Sequence, residues 1–113
     1  MKNHLVLSIW FSLIFPAFSF ESDFISVETE GNESGADLIL IHGFSCSSKV
    51  WSEFVHKVQS EFHLHLVQVA GFADSTAPKK HPESYLETTR DEISRYIEEK
   101  NSEALNALLN PRA

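Results

Sequence analysis

One cysteine, Cys46, stands among 113 residues, so no internal disulfide can form. The sulfur is expected to be a buried thiol. Basic residues are also scarce: 9 Lys and Arg face 16 Asp and Glu, a formal charge of −7. Phosphate contacts need clustered Lys and Arg, so nucleic-acid binding is excluded as a function class. Lys79-Lys80 is the one tight basic pair and reads as solvated loop surface. No apolar run reaches the roughly 20 residues that a membrane helix needs. There is no internal repeat and no low-complexity stretch. What is present is ordinary for a globular chain, 42% hydrophobic and 22% charged, of a length that fits one domain.

The first residues do not read as part of a fold. Lys2 and His4 precede an apolar run from Leu5 to Phe15 that contains only Ser8 and Ser12 as polar residues. Pro16 breaks the run, and Ala17-Phe18-Ser19 has the small-x-small form of a signal-peptidase site. Residues 1–19 are therefore expected to be a signal peptide, with residues 20–113 exported to the periplasm or secreted. Membrane attachment is expected only if that segment stays uncleaved. Asn32-Glu33-Ser34 fits an N-glycosylation sequon.

Hydrophobic periodicity then gives an order of elements. Phe24 to Glu30 alternates and reads as a half-exposed strand. Gly31-Asn32-Glu33-Ser34-Gly35 is turn chemistry. Leu38-Ile39-Leu40-Ile41 is continuously apolar, the pattern of a strand buried on both faces. Val50, Trp51, Phe54, Val55, Val58 and Phe62 recur at helical spacing, with Ser47 or Ser48 available as the cap. Leu64 to Val69 is β-rich, and Gly71 ends it. Ser84-Tyr85-Leu86-Glu87 has the capping-box form and opens a second amphipathic helix through Ile97, ending near Asn101. Ser102 to Leu109 reads as a separate short helix before Asn110-Pro111. Strands alternating with helices predict an α/β fold with a mostly parallel sheet and flanking helices.

In such sheets ligands bind beyond the carboxyl ends of the strands. His42-Gly43-Phe44 and Gly71-Phe72-Ala73-Asp74-Ser75 stand at those ends. Glycine after a strand permits a sharp turn, and the amides that follow can converge on one spot, as a developing oxyanion requires. The run Leu38-Ile39-Leu40-Ile41-His42-Gly43-Phe44 resembles the strand and HG-F loop of the α/β-hydrolase family. Trp51 is similar to an aromatic early in that family's next helix. Val67 to Ser75 resembles its next strand and D-x-P-G-F-G-x-S loop, with Val69-Ala70 and Ala73 departing from the usual residues. The resemblance covers about residues 24–100.

It implies a serine-type carboxylic ester or acyl hydrolase with no cofactor and no metal, acting on a small-molecule ester or acyl substrate. The Phe44 backbone N–H would be an oxyanion donor, Gly43 would serve the loop geometry, and His42 would be a structural residue of the motif. The family's nucleophile lies in G-x-S-x-G, followed by Asp or Glu and then His. After the second helix the chain instead reads Asn101 to Pro111, with no such elbow and no His beyond His81. The expectation is therefore a truncated hydrolase N-terminal region, inactive alone. The alternative is a small non-catalytic interaction protein whose open sheet edge pairs with a partner strand. A hidden triad of Ser45, Asp74 and His81 has the right order but would place Ser45 in the oxyanion loop itself. His63 and His65 share one face of a strand at zinc-compatible spacing. With no acidic or Cys ligand near in sequence, they are expected as exposed histidines at the beginning of the strand.

Overall fold

A computed structural model describes residues 20–110. The expected signal segment, residues 1–19, lies outside the described residues. The elements are β1 (Ile25–Gly31), β2 (Ala36–Ile41), a 3-10 turn (Ser48–Trp51) running into α1 (Ser52–Val58), β3 (Phe62–Val69) and α2 (Tyr85–Leu109). The sheet order is β1-β3-β2. β2 runs parallel to β3, with Asp37 opposite His63 and Ile41 opposite Val67. β1 runs antiparallel to β3, with Ile25 opposite Val69. The sheet is thus mixed, a three-stranded α/β arrangement rather than a mostly parallel one, because the short β1–β2 turn feeds β1 to the far side of β3.

β3 is the centre of the molecule. Its side chains alternate between two covered faces. Leu64 and Leu66 meet Leu40 and Val55, with Leu38, Trp51, Val58 and Phe62 packed around them. On the opposite face His65 lies against Tyr96 of α2, their rings 5.6 Å apart. Leu64 and Val67 are fully buried; each such aliphatic side chain contributes roughly 1.5–3 kcal/mol.

The double burial expected for β2 belongs to β3 instead. In β2 only Leu40 is buried, and Ile41 is 46% exposed. The reason is position: β2 is an edge strand, so Ile39 at its middle is only partly buried and Ile41 at its end is exposed. The helix before β3 is also shorter than its apolar spacing suggests. It stops at Val58, and Phe62 opens β3, where it packs on the same core from the strand side.

α2 differs in the other direction. It runs unbroken from Tyr85 to Leu109, where a break near Asn101 was expected. Residues 101–109 hold no Gly or Pro and are mostly good helix formers, and Lys100 pairs with Glu103 at 3.7 Å across the expected break. Ser84 caps the helix by accepting from the Glu87 N–H. Although 25 residues long, α2 is too polar to span a bilayer; among the described residues no helix is long and apolar enough to do so. Cys46, expected to be buried, is half-buried and free.

The β1–β2 connection shows why the turn residues are needed. Gly31 adopts φ +91°, in the left-handed region open to glycine. Asn32 then bridges both ways: its side-chain amide donates to the Ser60 carbonyl and its oxygen accepts from the Ser34 N–H.

Candidate functional site

The carboxyl ends of β2 and β3 carry the loops expected to hold the chemistry. Leaving β2, the chain turns between Gly43 and Cys46, closed by the Cys46 N–H donating to the Gly43 carbonyl at 3.1 Å. Ser45, third in that turn, has φ 65°. A turn with positive φ at its third residue is the type II class. The Phe44 N–H, at its second residue, meets no acceptor among the described residues.

The demand for unusual backbone falls on Ser45, not on Gly43. Gly43 has no left-handed φ, and a Cβ there would meet nothing within 4 Å among the described residues. The absent side chain leaves open space beside the Phe44 amide instead.

His42 is buried, and both ring nitrogens are committed. Nδ1 donates to the Gly43 carbonyl at 2.8 Å, and Nε2 accepts from the Val69 N–H at 3.0 Å. Because Val69 N–H can only donate and the carbonyl only accept, these bonds fix the Nδ1–H tautomer. The ring stands where the next ladder carbonyl of β2 would have been, and so pins the loop to the end of β3. No lone pair remains for taking a proton from a substrate.

Gln68 was read only as a strand residue, yet it holds three segments together. Its oxygen accepts from the Ser48 N–H at 2.9 Å. Its amide donates to the carbonyls of Val69 and Phe72 and meets His42 Nε2 at 3.2 Å. A polar residue between the valines at the carboxyl end of the strand, next to the loop, was the available signal. Beyond β3, Gly71 has φ +85° and Ala73 φ 53°. Ala73 stands where the hydrolase loop often has Gly, and its left-handed backbone explains why. Ser75 closes the loop by donating to the carbonyls of Val69 and Phe72.

An aromatic row borders the turn. Phe44, 84% exposed, meets Phe72 edge-to-face at 5.2 Å, and Phe72 lies 5.9 Å from Tyr85. Trp51 is placed differently, in the core beneath, with its buried Nε1 lacking an acceptor among the described residues. Ser45, Asp74 and His81 are not assembled: no hydrogen bond links them, and His81 Nδ1 instead faces the Tyr85 hydroxyl at 3.4 Å.

The other end of the sheet overturns one expectation. His63 and His65 are not exposed histidines without an acid nearby. His65 is 4% exposed, and the parallel register brings Asp37 of β2 beside both rings. Asp37 Oδ1 accepts from His63 Nδ1 at 2.8 Å and from His65 Nε2 at 2.7 Å, while His65 Nδ1 lies 2.6 Å from the Tyr96 hydroxyl. The bond from His65, then that from His63, holds the Asp37 carboxyl below the usual range. Burial, helped by the negative charges of Asp37 and Glu103, pushes the Tyr96 phenol up to about 12.

No family model matches the chain. Curated proteins do. The chain is 40% identical over 48 residues to the pimeloyl-(acyl-carrier protein) methyl ester esterase of Aliivibrio salmonicida, covering 42% of this chain and 18% of that protein. These relatives are esterases. Against the protein of the same name from Photorhabdus laumondii the identity is 32% over 68 residues, 60% of this chain and 25% of that one. Against that from Nitrosomonas europaea it is 39% over 51 residues, 45% and 19%. The chain thus spans a quarter or less of the length of these curated relatives. Over the matched segment it is hydrolase-like, and its mixed sheet is compatible with part of an α/β fold.

Proposed function

We propose that this chain supplies the amino-terminal, oxyanion-binding part of an exported α/β-hydrolase that cleaves a small-molecule carboxylic ester. The observation that carries the reading is the Phe44 N–H: an amide without an acceptor, in a turn pinned by His42 and Gln68 at the carboxyl ends of two parallel strands. Amides held this way stabilise the charge that develops on a carbonyl oxygen under attack, without reorganising as the charge appears. Gly43 keeps the approach to that amide clear, and His42 acts as the anchor of the loop rather than as a base. Phe44 and Phe72 offer an apolar wall for the acyl portion of the substrate. The nucleophile, acid and base are to be supplied by sequence other than that described here, so the chain by itself is expected to give no turnover.

The test is a chimera. The matched segment of the Photorhabdus laumondii esterase is replaced by the corresponding segment of this chain, and hydrolysis of a methyl ester is measured. The expected result is a folded, active chimera. Phe44→Pro removes the N–H at a turn position that tolerates proline, and is expected to lower kcat by roughly 10²- to 10³-fold. A folded but inactive chimera, or an unaffected proline variant, contradicts the proposal.

The position of β2 at the edge of the sheet favours a second reading, a non-catalytic interaction protein. In that case the edge of β2 pairs with a partner strand, and the chimera is expected to be inactive.

A further inference from the structure

At the amino-terminal ends of β2 and β3, three side chains aim one ligand atom each at a common point: Asp37 Oδ1, His63 Nδ1 and His65 Nε2, all within 4.8 Å of one another. We propose that they form a binding site for a divalent transition-metal ion of the zinc type. His65 stands about 13 Å along β3 from Val69, by the strand rise, and the site is independent of the hydrolase reading.

Alternation puts His63 and His65 on the same face of β3, and the parallel register sets Asp37 directly opposite His63. Zinc takes His nitrogen and carboxylate oxygen at about 2.0–2.2 Å and commonly holds three protein ligands plus one open position. The ligand atoms therefore need only small side-chain rotations to surround one ion. Two imidazoles and one carboxylate suit zinc and its neighbours, whereas calcium and magnesium favour all-oxygen shells.

Burial is graded in the way such a site requires. The His65 side chain is 5% exposed, that of His63 22% and that of Asp37 69%, so an ion enters past Asp37 and a water can occupy the remaining position. To bind, His65 presents the Nε2 lone pair, and its proton resides on Nδ1, facing the Tyr96 hydroxyl 2.6 Å away. That contact is the outer-shell partner that orients a metal-bound imidazole. Lys100 lies over the Tyr96 ring at 5.8 Å and pairs with Glu103, so the nearby charges are balanced. The ion would join β2 to β3 and, through Tyr96, to α2.

The test uses the full chain, stripped with a chelator and titrated with zinc chloride while heat release and the thermal midpoint are followed. The expected result is one ion per chain and a raised midpoint, with magnesium chloride giving neither. His63→Ala and Asp37→Asn, both at the exposed rim, are expected to weaken zinc binding by more than about 100-fold, and Tyr96→Phe by roughly 10- to 100-fold. Circular dichroism confirms that each variant is folded. Cobalt(II) gives a readout that needs no variant: tetrahedral visible bands without a thiolate charge-transfer band. Absence of binding to the folded chain, binding retained within about twofold in folded His63→Ala and Asp37→Asn, or a thiolate band placing the ion on Cys46 each overturn the proposal.

Discussion

The two ends of the same pair of parallel strands are built on different principles. At the carboxyl ends, side chains serve the main chain. His42, Gln68 and Ser75 spend their polar atoms on backbone N–H and C=O groups, and the Phe44 amide is among those left without an acceptor among the described residues. At the amino ends, side chains serve one another: Asp37, His63, His65 and Tyr96 meet atom to atom. The first arrangement fixes a backbone shape and presents a dipole. The second gathers ligand atoms. A sheet can thus carry an oxyanion-type site and a cation-type site with strands as the only shared framework.

The largest expected contrast is in stability. His42→Ala leaves the Val69 N–H without its acceptor, removes one of the two donors to the Gly43 carbonyl and opens a cavity, so it is expected to cost about 3 kcal/mol. Metal-free His63→Ala removes a partly exposed hydrogen bond to Asp37 and is expected to cost less than about 1 kcal/mol. Urea unfolding of both variants checks the pair; equal costs would erase the distinction between the two ends. Gln68→Ala comes next, at about 2 kcal/mol, because it frees the Ser48 N–H and removes one donor each from the Val69 and Phe72 carbonyls, which Ser75 still bonds. Its effect on amide exchange is expected at Ser48 and in the loop after β3, and not at His63 or His65.

Backbone strain sharpens the same comparison on a smaller scale. Among the described residues both non-glycine residues with positive φ, Ser45 and Ala73, lie in the loops at the carboxyl ends. Ala73→Gly relieves the left-handed penalty but adds freedom to the unfolded chain. The net expectation is a stabilisation below about 1 kcal/mol, read as a small rise in thermal midpoint.

The smallest effect is expected from pH. Arg95, and then the Ser22 hydroxyl, hold the Glu92 carboxyl below its usual 4.5. A lowered folded pKa means stabilisation that is complete above 4.5 and is lost as pH falls from there through the folded value. A shallow decline in thermal midpoint below pH 4.5 is expected, and Glu92→Gln should reduce it. The hydrogen bonds of the Phe44 turn involve no carboxylate and should not contribute.

How legible each end was in the sequence follows from the same difference. The carboxyl-end loops could be read because their signals are local: an apolar run, His42-Gly43-Phe44 directly after it, Gly71 after the next. Even Ala73, visible only as a departure from a glycine, gained its meaning from its φ of 53°. Gln68 was missed because its partners lie at positions 42, 48 and 72, and only the folded register brings them together. Asp37 was missed for the same reason, being 26 residues from His63. The double burial expected of β2 is not found because apolar runs report what a strand can bury, while strand order decides what it does bury. The unbroken α2 was misjudged because Asn101-Ser102 resembles a stop, although no Gly or Pro enforces one.

The measurement that bears most directly on the hydrolase reading is the DNA sequence that follows codon 100, translated in all three frames. The expected result is an open frame encoding a β-rich strand and G-x-S-x-G, with Asp or Glu and then His further on. A locus with none of these would contradict it, and the Phe44 turn would then be a loop without a nucleophile to serve.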